Sequence, residues 1–461
     1  MISKKTKEII YFIILFFFSI SFNQYYGHLG INPIDSFFSF NSGYDILNGH
    51  FPFKDYWTIT GPFIAFTQAF FFKVLGVSWF SYVLQASIFN CIITIFTFYT
   101  LYKFKLNINF CFIYSFLVAV LAYPSSGTPY VDHQSSYISI ISIFCFILAL
   151  QTNQKIYWFL LPIVLGISFL TKQAPTGYIF LIIIFSSIIY FIFNFDIKKI
   201  VLGLFGSGII ISLFLITLAL CKISLSSFVQ QYILFPMSLG ESRLQFLLPF
   251  EFSRIFLRFK LIHLSSMLLL IVCIKEIIKE YKYLRSNEFL ILISLIATSY
   301  ALIIHQLMTI NGIFIFFIIP IFAGFSHIYF LKYYKNKNYI LFFLIFLSIS
   351  STIYYGYKYI HNRDFMDLGK VNIKNSVDAK ILDAKLSGLK WITPLYPDDP
   401  NKEISQLSAA IQIIKEDSRV KTIITDYQFI SVILSAYDYS PSQVWYGYHV
   451  NPVRGDKYYE I

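Results

Sequence analysis

Residues 174–194 read APTGYIFLIIIFSSIIYFIFN, a run without a single charged side chain. A helix of about 20 such residues is long enough to cross the hydrocarbon core of a bilayer. Similar apolar runs recur between residues 9 and 355 and are separated by short polar segments. The chain has 461 residues, of which 57% are hydrophobic and 13% charged, whereas soluble domains carry about 25% charged residues. The sequence therefore predicts an integral membrane protein that crosses the bilayer many times.

The apolar runs and the charges between them predict a topology of about eleven transmembrane helices. The predicted spans are residues 8–23, 78–102, 108–123, 135–150, 156–171, 174–194, 199–221, 260–278, 289–305, 313–331 and 338–355. With the lysine-rich N-terminus in the cytoplasm, every alternate loop is basic, as the positive-inside rule requires. An odd number of spans places the C-terminal tail outside. The predicted fold is thus an all-α transmembrane domain (residues 1–355) followed by an extracytoplasmic α/β region (residues 356–461).

Two segments are predicted to have other structures. Residues 60–76 are apolar but begin with Gly61-Pro62 and contain Gln68 and Lys73, which favours a helix that lies in the outer interface. In the tail, residues 420–425 are predicted to form a strand, and a second helical stretch to begin at Asp426. An amphipathic tail helix is predicted from the helical spacing of four apolar residues, which are Ile404, Leu407, Ile411 and Ile414.

The charge and the cysteines argue against several other classes of protein. The net charge of +12 comes with lysines in short loops, where charge sets the orientation of a membrane protein. No nucleic-acid partner is therefore predicted. All five cysteines lie in or at the ends of apolar runs, and none shows a metal-binding spacing such as Cys-x-x-Cys. A disulfide framework is not expected.

The ionisable residues gather in the loops of the predicted outer face. The first outer loop, residues 24–60, contains Asp35, Asp45, Lys54 and Asp55. Later outer loops add a second set of polar residues, which are Asp132, His133, Lys172, Gln173, Arg243, His305, Gln306 and Asn311. Ionisable groups at membrane depth are kept mainly where they pair or line a functional cavity. The pattern predicts a cavity that opens to the outer leaflet, with Asp45 outside it in solvent.

The first outer loop also carries the most specific pattern. Asp35 is followed by residues 45–57, DILNGHFPFKDYW, and Gly61-Pro62 then begins an apolar helix. This order resembles the start of GT-C glycosyltransferases of the protein-mannosyltransferase and aminoarabinose-transferase type. The resemblance covers residues 1–355, although many relatives have Asp-Glu where this chain has Asp35-Ser36. It implies a membrane enzyme that transfers a sugar from a polyprenyl-phosphate donor to a glycan, lipid or protein acceptor of the cell envelope.

The resemblance also implies roles for individual residues. Asp35 would be the base that accepts the proton of the acceptor hydroxyl, with Asp55 as the second carboxylate. Lys172 and, as a weaker choice, Arg243 would bind the donor phosphate. A single displacement at the anomeric carbon predicts inversion. The remaining pocket residues would be Asp132, His133, Gln173, His305, Gln306 and Asn311.

No metal or other cofactor is predicted. Asp35, Asp55, Asp132 and His133 carry the oxygen and nitrogen atoms that a divalent cation would require. Their spacing alone does not support a metal site. The predicted partners are the lipid donor, the acceptor and the bilayer itself.

Two other classes of function stay open. A transporter or flippase of lipid-linked sugars also holds buried charges, but usually near the bilayer midplane and often with repeat symmetry, and this chain shows no repeat. A non-catalytic scaffold of an envelope complex would not need Asp35, Asp55 and Lys172 on one side. The expected location is the inner membrane of a bacterium, with the N-terminus in the cytoplasm and the C-terminus outside it.

Overall fold

Helices account for 76% of the structure and sheet is minimal. The computed structural model describes residues 3–31, 33–122, 127–244, 251–309, 312–334, 338–364, 368, 371–424, 429–436, 450–452 and 457–458. For residues 33, 34 and 241–244 it describes the backbone only. In chain order the helices are α1 (Lys4–Gly27), α2 (Pro33–Ser36), α3 (Phe40–Leu47), α4 (Pro62–Leu75), α5 (Trp79–Lys103), α6 (Ile108–Leu121), α7 (Val131–Thr152), α8 (Ile156–Thr171), α9 (Gln173–Phe193), α10 (Ile197–Leu220), α11 (Leu225–Phe228), α12 (Phe235–Leu244), α13 (Lys260–Lys279), α14 (Asn287–Met308), α15 (Ile318–Tyr333), α16 (Asn338–Gly356), α17 (Pro400–Glu416) and α18 (Ile430–Leu434).

Eight helices among the described residues are long and apolar enough to cross a membrane. They are α1, α5, α7, α9, α10, α13, α14 and α16, the last with a π-helical extension to His361. The chain is therefore a mostly helical, multi-pass membrane protein. Three shorter apolar helices, α6, α8 and α15, coincide with further predicted spans. The total of about eleven spans needs these three to cross as well, and it stays a prediction.

The helices differ in how far the rest of the protein encloses them. All residues of α7 from Val131 to Leu150 are buried, so this helix is the central element of the bundle. By contrast, α10 exposes large apolar side chains such as Leu204, Phe205 and Leu220. An apolar surface of this kind suits contact with lipid tails, which are as apolar as the side chains themselves. The polar residues at the start of α7 are therefore held deep inside the protein.

The tail packs against the first loop, residues 24–60. Strands β1 (Val377–Asp378) and β2 (Lys390–Trp391) form a two-stranded antiparallel sheet. The amide of Lys390 donates to the carbonyl of His28 at 2.8 Å, and the amide of Gly30 donates to the carbonyl of Lys390 at 3.0 Å. These bonds extend the small sheet with the segment that follows α1. The tail thus fixes the backbone that leads into α2.

An aromatic core seals this contact between the tail and the first loop. The ring of Phe37 lies 5.4 Å from the ring of Trp79, 6.1 Å from Trp391 and 4.7 Å from Phe429, measured between centroids. All four side chains are buried. Aromatic pairs at these distances stabilise a core beyond the effect of burial alone. The residues on either side of Asp35 are therefore anchored by both the membrane helices and the tail.

One tail helix is confirmed, and the tail strand stays a prediction. Helix α17 contains the predicted apolar stripe, with Ile404 buried and Leu407 half-buried. Residues 420–424, by contrast, belong to neither strand of the sheet, and Val420 is fully exposed. Thr422 forms an isolated β-bridge, and Thr425 lies outside the described residues. The helix expected from Asp426 begins outside the described residues, which show α18 from Ile430.

Candidate functional site

A carboxylate at the start of α7 holds two cationic or polar partners from other helices. The ammonium nitrogen of Lys172 lies 2.8 Å from both carboxylate oxygens of Asp132. The Nε2 atom of His305 lies 2.7 Å from Oδ1 of the same carboxylate. Lys172 stands between α8 and α9 with an extended backbone, and His305 is in the last turn of α14. The structure thus brings these three predicted residues into direct contact.

Because this ionic cluster is buried, its contacts are important for the stability of the protein. Asp132 and His305 are almost fully buried, and the Lys172 side chain is 17% exposed. Removing a carboxylate from water costs several kcal/mol, and only close, well-aligned partners offset that cost. Two short contacts from one ammonium and one from an imidazole provide such partners. The cluster therefore fixes the ends of α8 and α14 relative to the start of α7.

Asp35 lies at the same end of the bundle as this cluster. Asp35 is 1% exposed, and its carboxylate lies within hydrogen-bonding reach of the hydroxyl of Tyr130, which directly precedes α7. Burial raises the pKa of Tyr130 well above its usual value, and the charges of Asp35 and Asp132 raise it further. Tyr130 is therefore a neutral hydrogen-bond donor. It connects Asp35 to the chain segment that carries Asp132.

Aromatic rings enclose the next predicted pocket residues. The imidazole of His133 is buried, with its ring 4.7 Å from the ring of Phe314 and 6.0 Å from that of Tyr130. The side-chain oxygen of Gln306 accepts from the backbone amide of Phe314 at 3.3 Å. His133 and Gln306 thus lie on either side of Phe314, beside the helix start that carries Asp132. The structure brings both of them to the predicted region.

Gln173 has a different surrounding from the one predicted. Its side-chain amide donates to the backbone carbonyl of Ile59 at 3.0 Å and to that of Tyr232 at 2.5 Å. The hydroxyl of Tyr232 in turn donates to the carbonyl of Phe169. Gln173 therefore joins the first outer loop to the segment after α11. Its described contacts are backbone carbonyls that it holds in place beside Lys172.

A close backbone contact brings the first loop against the position of Lys172. The amide of Gly61 donates to the carbonyl of Thr171 at 3.2 Å. A Cβ atom added at Gly61 would lie 1.9 Å from the carbonyl oxygen of Leu170, far inside any allowed contact. Only glycine permits this approach. The Gly-Pro pair that marks the start of α4 in the sequence therefore also sets the distance between the first loop and the end of α8.

Asp55 caps its own loop. Its Oδ2 atom accepts from the amide of Phe51 at 2.7 Å and lies 3.4 Å from the ammonium of Lys54. The side chain is 23% exposed. Near it is a cavity with about 20 Å³ of space, lined in part by Ser42, Tyr56 and Thr58, enough for about one water molecule. The two remaining predicted residues, the side chain of Arg243 and the whole of Asn311, lie outside the described residues.

Asp45 and Arg363 are buried charged residues whose burial was not predicted from the sequence. Asp45, expected in solvent, is 1% exposed, and its Oδ2 accepts from the side-chain amide of Asn41 at 2.9 Å. The i,i+4 spacing of these two residues on α3 was the available signal. Arg363, which follows the π-helical turn Tyr357–His361, is also 1% exposed. No pattern in the surrounding sequence indicates that its side chain is buried.

Comparison with known proteins gives this chain no family. No family model matches it, and no curated protein matches it. Within the described ranges, no group of three or more His, Cys, Asp or Glu side chains could hold a metal ion. The fold and the site together define a class: a helical, multi-pass membrane protein with an ionic cluster buried at one end of its bundle.

Proposed function

We propose that this protein is a membrane glycosyltransferase that moves a sugar from a polyprenyl-phosphate donor to an acceptor of the cell envelope. One observation carries the proposal. Asp35 and the cluster of Asp132, Lys172 and His305 lie at the same end of the bundle, joined through Tyr130. A base and a cation on one side of the membrane are what sugar transfer from a lipid phosphate requires.

The proposed reaction is a single displacement. The acceptor hydroxyl oxygen forms a bond to the anomeric carbon, its proton passes to the carboxylate of Asp35, and the bond from that carbon to the phosphate oxygen breaks. The phosphate leaves with the bonding electrons, and the configuration inverts. Asp55 is the second candidate for the base. The bond from Tyr130 to Asp35 would hold the carboxylate in one orientation during attack.

Lys172 is proposed to stabilise the departing phosphate. Its ammonium group has three N–H donors, and the two oxygens of Asp132 occupy two of them. The third donor would be directed to the phosphate, with Arg243 as a further candidate. Asp132 and His305 would then hold Lys172 in place, while His133, Gln173, Gln306 and Asn311 would complete the pocket.

A lipid-borne donor explains why such a site is built into a membrane protein. The isoprenoid chain remains in the bilayer, so the sugar phosphate is presented at the level of the headgroups. The polar ends of α7, α8 and α14 lie together at one end of the bundle, which suits this position. We place this end on the extracytoplasmic face of a bacterial inner membrane, because the loops at the opposite ends are rich in lysine.

The proposal is tested by sugar transfer in membranes that contain the wild type or the Asp35→Asn variant. Radiolabelled sugar on a polyprenyl phosphate serves as the donor, and labelled envelope acceptor is measured. Asp398→Asn, in an exposed turn of the tail, is the matched control. We expect transfer by the wild type and the control and a loss of at least about 100-fold in Asp35→Asn. Equal transfer by all three proteins would remove Asp35 from the role of base.

A further inference from the structure

Arg363 combines burial with an unusual backbone. Its side chain is 1% exposed, which places it among the largest fully buried side chains of the protein. Its φ angle is 54°, in the left-handed region that favours glycine. A non-glycine residue in this region is strained, and such strain is concentrated at functional positions. Burial of the side chain and the left-handed backbone are both energetically unfavourable for an arginine.

Among the described residues, none forms an ion pair with the guanidinium of Arg363. Its Nε and Nη1 atoms are buried and make no hydrogen bond in the described part of the chain. Burial lowers the pKa of Arg363 to about 10, and the neighbouring hydroxyl of Tyr26 opposes that shift. The group is therefore cationic at neutral pH. Buried charges in proteins are normally paired. Since no described residue forms an ion pair with this guanidinium, we expect a ligand to supply its partner.

Arg363 lies at the same end of the bundle as Asp35. It follows α16 and its π-helical turn at the end where α1 finishes, and its neighbour Tyr26 is in the last turn of α1. Asn23, also near the end of α1, donates to the carbonyl of Gly127 at 3.0 Å, in the segment that leads to Tyr130. Lys172 and Arg363 differ in one respect: Lys172 has an ion pair with Asp132, whereas Arg363 has none with the described residues.

We propose that the guanidinium of Arg363 binds a phosphate group, which we assign to the head of the lipid donor. The planar guanidinium presents parallel N–H groups that match two phosphate oxygens. Nε with Nη2, and Nη1 with Nη2, form such pairs, and each pair includes one of the two atoms that lack a hydrogen bond in the described part of the chain. The phosphate chemistry follows from Arg363 itself, and the assignment to a lipid rests on the proposed function.

The test is direct binding to the full chain in nanodiscs, without turnover. The probes are a long-chain polyprenyl phosphate, the corresponding polyprenol and inorganic phosphate. The variants are Arg363→Met and Arg363→Lys, with Lys358→Gln as control, since Lys358 is a nearby cation with an ion pair to Asp364 at 3.7 Å. The readouts are the dissociation constant and the apparent melting temperature with and without each probe.

We expect polyprenyl phosphate, but not polyprenol, to raise the melting temperature of the wild type and of the control. Arg363→Met should bind polyprenyl phosphate at least about tenfold more weakly, with Arg363→Lys in between. Without any probe, Arg363→Met should melt no lower than the wild type, because an unpaired buried charge has been removed.

Two results would overturn the phosphate site. The first is that Arg363→Met binds polyprenyl phosphate as tightly as the wild type. The second is that, without any probe, Arg363→Met melts well below the wild type, which would indicate a structural role for the arginine. If inorganic phosphate binds with the same dependence on Arg363 and polyprenyl phosphate does not bind, the phosphate site stands. The assignment to a lipid, and with it the proposed function, then fails.

Discussion

Both carboxylate oxygens of Asp132 lie 2.8 Å from the single ammonium nitrogen of Lys172. This contact joins the start of α7, the most enclosed helix, to the short connection between α8 and α9. His305 adds a third helix to the same carboxylate. These contacts position the side chains of the candidate site and also hold the helix ends together. Substitutions here are therefore expected to affect both stability and function.

Removing one member of the buried pair should destabilise the protein more than removing both. Lys172→Met leaves the carboxylate of Asp132 with His305 alone, and we expect a loss of about 3 kcal/mol in the free energy of unfolding. The double variant Asp132→Asn with Lys172→Met removes the buried charge as well and should recover part of this loss. Unfolding of the purified proteins in one detergent measures the difference. Additive effects of the two substitutions would contradict an energetic coupling between them.

Gly61 should tolerate no side chain. Alanine at this position would place Cβ against the carbonyl of Leu170, so the first loop or the end of α8 must shift. We expect Gly61→Ala to cost at least about 2 kcal/mol of stability and to reduce sugar transfer, because Lys172 follows the displaced residues. Gly208→Ala is the control, since no atom lies within 4 Å of its added Cβ. It should be neutral or stabilising by up to about 1 kcal/mol. Wild-type stability in Gly61→Ala would show that the two backbones are further apart than described.

The buried indole of Trp391 should control how firmly the tail holds the first loop. Its Nε1 donates to the carboxylate of Glu403 at 3.1 Å, and its ring lies beside Phe37. Replacing a buried tryptophan by alanine costs about 3–5 kcal/mol. Hydrogen exchange of the full chain should therefore show faster exchange in residues 28–40 for Trp391→Ala. Leu395→Ala, at a side chain that is 66% exposed, should leave this exchange unchanged. Equal protection in both variants would mean that the tail does not hold the first loop.

The contact between the tail and the first loop should weaken in acid because of His28. Burial lowers the pKa of this imidazole, partly opposed by its hydrogen bond with the carbonyl of Gln24. The folded state then binds its proton less readily than the unfolded state. The stabilising contribution is complete above the unfolded pKa of about 6.5 and is lost as the pH falls through that value toward the lowered pKa of the folded state.

The same effect can be isolated by substitution. His28→Gln should lose part of the decrease in melting temperature that the wild type shows between pH 7.5 and pH 5.5, the range that brackets the unfolded pKa of about 6.5. His361→Gln, at an exposed histidine, serves as the control. An identical decrease in wild type and His28→Gln would assign the acid sensitivity to other groups.

Much of the helical architecture and part of the site could be predicted from the sequence. Transmembrane helices can be predicted from long apolar runs, because about 20 apolar residues are needed to cross the hydrocarbon core of a bilayer. Asp132, Lys172 and His305 could be grouped because the positive-inside rule assigns their loops to the same side of the membrane. Their direct contact could not be predicted, since it depends on how α7, α8 and α14 pack together.

The tail and the first loop were harder to predict. Strands β1 and β2 contain two residues each, too few to produce an alternating pattern. The burial of Asp45 and Arg363 depends on segments distant in the chain that cover them. Residues 420–424 have strand-forming side chains, but Val420 is fully exposed and, in the described part of this segment, only Thr422 forms a β-bridge. Local propensity is effective mainly on a half-buried, paired surface, so it does not by itself place a strand there. Docking of the tail onto residues 28–31 is a long-range property.

The most direct test of the proposed reaction follows the bond between the sugar and the phosphate. Purified protein in liposomes is supplied with a polyprenyl-phosphate sugar and an envelope acceptor extract, and the released polyprenyl phosphate is quantified. We predict release by the wild type and by Asp398→Asn, and almost none by Asp35→Asn. If the donor instead crosses the bilayer with its sugar still attached, the protein is a flippase and the glycosyltransferase account is wrong.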